Sequence, residues 1–223
     1  MKKIAVITVA LALTACGSNP MGGASALSGV ASVAGVAGVP GVPGAGVSKS
    51  VNAGPLVSQL NDVLFNLRSS QAHIFNAYGL KKEAAQAEAD AGEYKKGNSI
   101  DAEVLNRTSK ASDEATVLIE KGSKLTAVGK KEIAAALPLY GTALTRSAGL
   151  ATELAGAAQT ISTNPMSVVG GPFSAVDLIT IFTKSPDLLQ KIVTQGHTFL
   201  TYADKNKIDH ANIPGFEDAK NIK

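Results

Sequence analysis

Residues 133–161 read IAAALPLYGTALTRSAGLATELAGAAQTI, and this stretch decides the fold class. Its apolar and small residues recur at spacings of three and four, which is typical of a helix packing at a shallow angle in a bundle or a coiled coil. Pro138 lies inside the pattern and predicts a kink or a restart of the helix there. The residues of this seam are Ile133, Leu137, Tyr140, Leu144, Ser147, Ala151, Leu154, Ala158 and Ile161.

Two helical patterns precede this stretch. The first begins at Pro55, which a first helical turn tolerates, and continues through Leu56, Leu60, Val63, Leu64, Leu67, Ile74, Phe75 and Tyr78. Residues 81–91 are good helix formers with few large apolar side chains, so we expect a solvated extension ending in a turn at residues 92–98. The second pattern has Ser99 as its predicted N-cap and continues through Val104, Thr108, Ala111, Ala115, Leu118, Gly122 and Leu125.

The chain after residue 163 predicts a break and then more helix. Asn164 and Pro165 resemble a cap followed by a first-turn proline, and residues 170–172 (Gly-Gly-Pro) are a helix breaker. Residues 174–177 have the form of a capping box, and residues 185–187 (Ser-Pro-Asp) predict the start of another helix. With no alternating strand pattern, we expect an all-α bundle of four or five helices over residues 55–205 and a polar, irregular tail over residues 206–223.

The N-terminus predicts export. Lys2 and Lys3 precede a short apolar run, residues 4–12, which is shorter than the about 20 residues that span a bilayer as a helix. The following residues, Leu13-Thr14-Ala15-Cys16, resemble the lipobox of bacterial lipoproteins. The resemblance implies that residues 1–15 are a removed signal peptide and that Cys16 becomes the first residue, bearing acyl chains such as palmitate that hold the protein on a membrane. The alternative is an ordinary signal peptide followed by an incidental cysteine.

The composition of residues 16–54 predicts a flexible linker. Gly, Ala, Val, Ser and Pro dominate it, and Lys49 is its only charged residue. Small side chains cannot fill a core, and frequent Gly and Pro interrupt regular structure. A coil of this length spans roughly 35 Å. The alternative is a segment that associates with itself or contacts the cell wall.

Charge and composition limit the partners. The chain has 21 basic and 18 acidic residues, and loss of Lys2 and Lys3 leaves 19 − 18 = +1. A near-neutral chain without Trp gives no reason to expect binding to nucleic acid. Cys16 is the only cysteine, so no intramolecular disulfide can form.

No pattern in the sequence indicates catalysis. The three histidines, His73, His197 and His210, belong to no H-E-x-x-H motif, and we expect neither a metal nor a cofactor. Residues 204–209 resemble a calcium loop only faintly, because Asp209 stands where the loop needs glycine. No nucleophile elbow or phosphate-binding glycine loop is present, so we expect no catalytic residues and no enzyme.

The apolar segment 166–182 carries the one surface that we predict to bind something. It is either a buried corner between two helices or an exposed hairpin that docks a protein partner or enters the membrane interface. The docking hypothesis names Val168, Val169 and Phe173.

The resemblance and the predicted bundle together suggest a non-catalytic envelope lipoprotein that binds a protein partner or supports an envelope assembly. The alternatives are an immunity-type lipoprotein against an imported toxin and a carrier of a small apolar ligand, with a pocket around Tyr140, Phe182 and Phe199. Gly17 stands where the inner-membrane retention signal of many Gram-negative lipoproteins has Asp. In a Gram-negative cell the resemblance therefore favours the outer membrane, with the domain facing the periplasm or the cell surface.

Replacing Cys16 with serine should release the chain from the membrane fraction, because the thiol that accepts the lipid is lost. Cell fractionation followed by immunoblotting measures this. The matched control is Ser28→Ala in the predicted linker, which should leave the chain on the membrane. Persistent membrane association of the Cys16→Ser chain would contradict the lipobox interpretation.

Overall fold

The computed structural model describes residues 50–97, 100–122, 125–169, 173–210, 213 and 215–216. Five α-helices account for most of these residues, which confirms the all-α fold. The helices are α1 (Ala53–Ala77), α2 (Lys81–Lys96), α3 (Ala102–Lys121), α4 (Ala127–Thr163) and α5 (Ala175–Asn206). The remaining elements of secondary structure are a 3-10 turn, Pro165–Ser167, and two short strands, β1 (Val51–Asn52) and β2 (Val168–Val169). The predicted signal peptide and nearly all of the predicted linker lie outside the described residues, as does the breaker at residues 170–172.

Helix α1 is the centre of the bundle. It packs against α4 and α2, α4 packs in turn against α5, and α3 lies against α5 and α1. The main apolar core lies between α1, α4 and α5 and contains Leu60, Leu64, Leu67, Ile133, Leu137, Tyr140, Leu154, Phe182, Leu189 and Phe199. Burial of a leucine or phenylalanine side chain contributes about 1.5–3 kcal/mol, so this core supplies most of the driving force for folding.

The two strands pair in parallel and place the start of the domain. Val51 is opposite Val168 and Asn52 is opposite Val169. Because β1 leads directly into α1, while β2 lies between α4 and α5, the chain enters the domain beside the turn that joins those two helices.

Helix α2 corrects the expectation of a solvated extension over residues 81–91. It is a separate helix after a turn at Gly79, and it packs on α1. Apart from Tyr94, its buried side chains are three alanines and an aspartate, which is why their spacing gave no apolar pattern. The buried residues of α2 are Ala84, Ala87, Asp90, Ala91 and Tyr94.

Two prolines lie inside helices: Pro138, where the sequence predicts a kink or a restart, and Pro186, where it predicts the start of another helix. Helix α4 continues through Pro138, so the helix does not restart there, and α5 continues through Pro186, so no new helix begins at residues 185–187. An interior proline costs about 3 kcal/mol. Burial of neighbouring residues such as Leu188 and Leu189 against the core outweighs this cost in α5.

The helix caps partly match the sequence predictions. Ser174 caps α5 as predicted, and its Oγ accepts a hydrogen bond from the Asp177 backbone N–H at 3.1 Å. The predicted cap Ser99 is wrong, because Asp101 is the N-cap of α3 and accepts from the Glu103 N–H at 2.6 Å. Ser99 itself lies outside the described residues.

The predicted polar tail contains two buried apolar side chains, Ile208 and Phe216. The ring of Phe216 stacks on Tyr140 with centroids 6.3 Å apart. Gly215 has a φ of +82°, and a Cβ there would lie 2.6 Å from Thr145 Oγ1 and 3.0 Å from the Gly141 carbonyl. This part of the tail therefore covers the core beside α4 and is held against it closely.

Gly215→Ala should lower the free energy of unfolding by about 2 kcal/mol, because alanine is strained at this φ and its Cβ would contact the α4 backbone. Urea unfolding followed by circular dichroism measures the change. The matched control is Gly149→Ala inside α4. The added Cβ meets no neighbouring atom within 4 Å there, so this substitution should raise the free energy of unfolding by about 0.5–1 kcal/mol. Equal effects of the two substitutions would contradict the close contact of the tail.

Candidate functional site

Helices α2 and α3 both lie on α1 but make few contacts with each other. A cleft of about 380 Å³ lies among the three helices. Its buried apolar lining is Phe75 and Ala111, which belong to a small second core between these helices. The remaining lining residues are polar or charged: Arg68, Lys82, Glu83, Gln86, Arg107, Lys110 and Glu114.

A buried ion pair joins α1 to α2 beside this cleft. The side chains of Arg68 and Asp90 are each only 2% exposed, and Arg68 Nη2 donates to Asp90 Oδ2 at 2.5 Å. Their positions follow from helix geometry, because Arg68 comes four residues after buried Leu64 and Asp90 comes four before buried Tyr94. Each charged side chain thus lies on the inward face of its helix.

The Asp90 carboxylate also binds groups from α2 and α3. Its Oδ1 accepts from Arg107 Nη2 at 2.9 Å and from Gln86 Nε2 at 2.9 Å. Arg68 in turn donates through Nη1 to Gln71 Oε1 at 2.7 Å, while its buried Nε has no hydrogen-bond partner among the described residues. One carboxylate therefore connects three helices and two guanidinium groups.

A second buried polar contact supports this connection. Thr108 Oγ1 donates to the Val104 carbonyl at 2.8 Å, so the Tyr94 hydroxyl, 2.9 Å from Thr108 Oγ1, acts as the donor in their contact. Burial raises the pKa of Tyr94, which keeps the hydroxyl protonated as a donor. The contact joins α2 to α3 and fixes their separation near the cleft.

The charge states of the ion pair follow from its surroundings. Burial raises the pKa of Asp90, but the hydrogen bond from Arg107 and the charge of Arg68 outweigh burial, so this pKa lies below its ordinary value. Burial lowers the pKa of Arg68, an effect that Asp90 opposes. The hydrogen bond to Asp90 raises the pKa of Arg107. All three groups are charged near neutral pH.

This cluster was not predicted from the sequence, although a signal was present. Arg68 interrupts the apolar spacing of α1, and Asp90 falls between the buried Ala87 and Tyr94 of α2. A charged residue on a buried face requires a partner, since an isolated buried charge costs several kcal/mol. The spacing could have indicated a buried ion pair, but it could not have indicated which charges meet.

The predicted docking residues lie at the corner between α4 and α5. Val168 is half-buried, pairs with Val51 and packs against the core, and Phe173 is also half-buried against the core. Val169 is 47% exposed. The corner also exposes two apolar residues that the docking hypothesis did not name, Met166 at 90% and Val176 at 72%.

The carrier alternative places an apolar pocket around Tyr140, Phe182 and Phe199, and the rings of all three are buried. Tyr140 and Phe199 are in direct contact, stacked with centroids 4.2 Å apart, and the Tyr140 hydroxyl donates to the Ile192 carbonyl at 2.7 Å. Phe182 belongs to the same core. The stacked rings of Tyr140, Phe199 and Phe216 pack against one another where that alternative requires space for a ligand.

The histidines lie apart from the cleft lining. His73 Nδ1 is 2.7 Å from Glu132 Oε2, and His210 Nδ1 is 2.9 Å from the Ile208 carbonyl. His197 lines a separate surface cleft between the C-terminal parts of α3 and α5. Within the described part of the chain, no three His, Cys, Asp or Glu side chains are grouped as metal ligands.

The chain matches no protein-family model, no curated protein and no solved structure. Among the described helices, none combines the length and the apolar character needed to cross a membrane.

Asp90→Ala should lower the free energy of unfolding by about 3–5 kcal/mol, because it leaves the Arg68 guanidinium buried and unpaired. Asp113→Ala, which removes an exposed partner of Lys191, is the matched control and should cost about 0–1 kcal/mol. Urea unfolding measures both. Equal losses would show that the buried pair contributes no more than a surface pair.

Acid should weaken the Asp90 contact. Folding lowers the pKa of Asp90, so the ionised carboxylate adds to the free energy of unfolding. This contribution is complete above the ordinary pKa of about 3.9 and is lost as the pH falls through the lower pKa of the folded state. Unfolding free energies of the wild type and of Asp90→Asn, measured from pH 6 to pH 2, should therefore converge at the acid end. Parallel curves would contradict the lowered pKa.

Proposed function

We propose that this chain is an envelope lipoprotein, held on a membrane through Cys16, whose non-catalytic helical domain binds a protein partner through the corner between α4 and α5. Three of the five large apolar side chains exposed in the described residues fall within residues 166–176 of this corner, and this observation carries the proposal. Exposed apolar residues that cluster in this way are typical of interaction sites.

The corner also lies at the end of the domain where the chain enters. The strand β1, which lies at the C-terminal end of the predicted linker, pairs with β2 inside the corner. A partner on the same membrane would thus meet the corner at a high effective concentration, which raises the strength of a modest interface.

Charge favours a protein over the membrane surface as the partner. Residues 147–183 contain no Lys or Arg, whereas the carboxylates of Glu153 and Asp177 are present. Segments that dock on anionic lipid surfaces are rich in Lys and Arg, because each contributes about 1 kcal/mol near such a surface. An apolar corner whose own stretch of chain carries two carboxylates and no Lys or Arg fits the apolar centre of a protein interface better.

Photo-crosslinking in intact cells tests the proposal. A photoreactive residue at Val169 should give one discrete crosslinked product, because this side chain would lie in the interface. The matched control is Val128, 68% exposed at the other end of α4, which should give none. Val169→Asp should abolish capture of the partner, while the circular dichroism spectrum should be unchanged.

The outcomes separate the alternatives. A product of twice the mass of the chain would make the partner a second copy, and crosslinking to lipid alone from Val169 would contradict the protein-partner proposal. Equal crosslinking from Val128 and Val169 would also contradict it. An immunity-type lipoprotein would give a product only when the toxin is supplied.

A further inference from the structure

We infer that the C-terminal tail closes a site for a small, uncharged aromatic molecule, and that the ring of Phe216 occupies this site until a ligand takes its place. Phe216 is 1% exposed and belongs to the main apolar core, although it lies beyond the end of α5 at Asn206. Its ring is nearly parallel to that of Tyr140, with an interplanar angle of 9°. This inference is independent of the partner proposed for the corner.

The aromatic surface against which Phe216 packs is held in position without the tail. The rings of Tyr140 and Phe199 are stacked with centroids 4.2 Å apart, and the Tyr140 hydroxyl donates to the Ile192 carbonyl at 2.7 Å. Both contacts join α4 to α5. Aromatic rings attract each other at centroid distances of about 4.5–7 Å, so a ligand ring can replace Phe216 at its 6.3 Å position. A surface fixed in advance loses little entropy on binding, which favours affinity.

The last described residues of the tail are held on the helices by packing. The Ile213 N–H donates to the His210 carbonyl at 3.1 Å, which is a contact within the tail. Among the described residues, no hydrogen bond or ion pair joins Ile213, Gly215 or Phe216 to a helix. Segments with few such contacts open at a lower free energy than the rest of a domain. The end of the tail can therefore leave the core while the five helices stay folded.

The start of the tail is anchored, so an opened tail stays close to the site. The Ile208 N–H donates to the Ala203 carbonyl at 2.9 Å, and the Ile208 side chain is buried. His210 Nε2 lies 3.3 Å from Asp204 Oδ1 of α5. Phe216 thus remains tethered and competes with a ligand for the same ring surface at a high effective concentration.

The surroundings of Phe216 define the ligand. The site accepts a side chain that ends in a benzyl group, and the main core around it is apolar. An unpaired charge in apolar surroundings is costly, so we expect an uncharged ring rather than an anion or a cation. This is the class of ligand that the carrier alternative requires beside Tyr140 and Phe199.

Nuclear magnetic resonance titration of the purified full-length chain with toluene tests the inference, because toluene matches the side chain of Phe216. Toluene should shift the backbone amide signals of Tyr140, Gly215 and Phe216 in a saturable way, and the amides of Gly215 and Phe216 should exchange faster with solvent in its presence. Benzoate, which adds a charge to the same ring, should bind more weakly by roughly tenfold or more.

Three outcomes of this titration would overturn the inference. They are no saturable binding of toluene to the wild type, shifts that leave the amides of Gly215 and Phe216 unchanged, and equal affinities for toluene and benzoate. The second outcome would place toluene at another site, and the third would show that the site does not select an uncharged ring.

Gly215→Ala should strengthen toluene binding by roughly tenfold, because a Cβ at this φ of +82° destabilises the closed tail without creating a cavity. Gly149→Ala, whose added Cβ has open space inside α4, is the matched control and should leave the affinity unchanged. Circular dichroism should show the same helix content in both variants. Equal affinities of the wild type and Gly215→Ala would overturn the inference, because Phe216 would then be an ordinary residue of the core.

Discussion

The carboxylate of Asp90 is the contact on which the arrangement of the first three helices depends. It binds Arg68 of α1, Arg107 of α3 and Gln86 of its own helix. Helix α2 buries mainly alanines against α1, so its apolar burial is small compared with that of α4 or α5. A buried ion pair is costly unless other groups also hydrogen-bond to it, as Gln71, Gln86 and Arg107 do here. Here the pair fixes where α2 lies, and the position of α2 in turn creates the cleft.

The core, the cleft and the corner depend on different physical interactions. The core between α1, α4 and α5 is apolar and supplies stability without requiring any function. The cleft is lined mainly by charged and polar side chains, and the corner between α4 and α5 exposes apolar side chains beside the entry of the chain. Exposed apolar surface of this kind is typical of sites that bind a macromolecule.

The sequence predicted the fold class and most helices, because apolar spacing reports which face of a helix is buried. It failed where other forces decided the structure. Helix α2 is held by small and polar contacts, and α5 passes through Pro186 because long-range burial outweighs a local cost. The burial of Phe216 in the polar tail was not predicted, because a single apolar residue has no periodicity to detect. The cleft could not be predicted, because the pairing of Arg68 with Asp90 joins residues 22 positions apart.

Hydrogen exchange of backbone amides in wild type and Asp90→Asn tests whether Asp90 holds α2 on α1. If Asp90 holds α2 on α1, amides of α2 should exchange faster in the variant, by roughly tenfold or more, while those of α4 and α5 keep their protection. Unchanged exchange throughout α2 would contradict the account. Uniformly faster exchange of all five helices would contradict it too, because the contact would then affect only global stability.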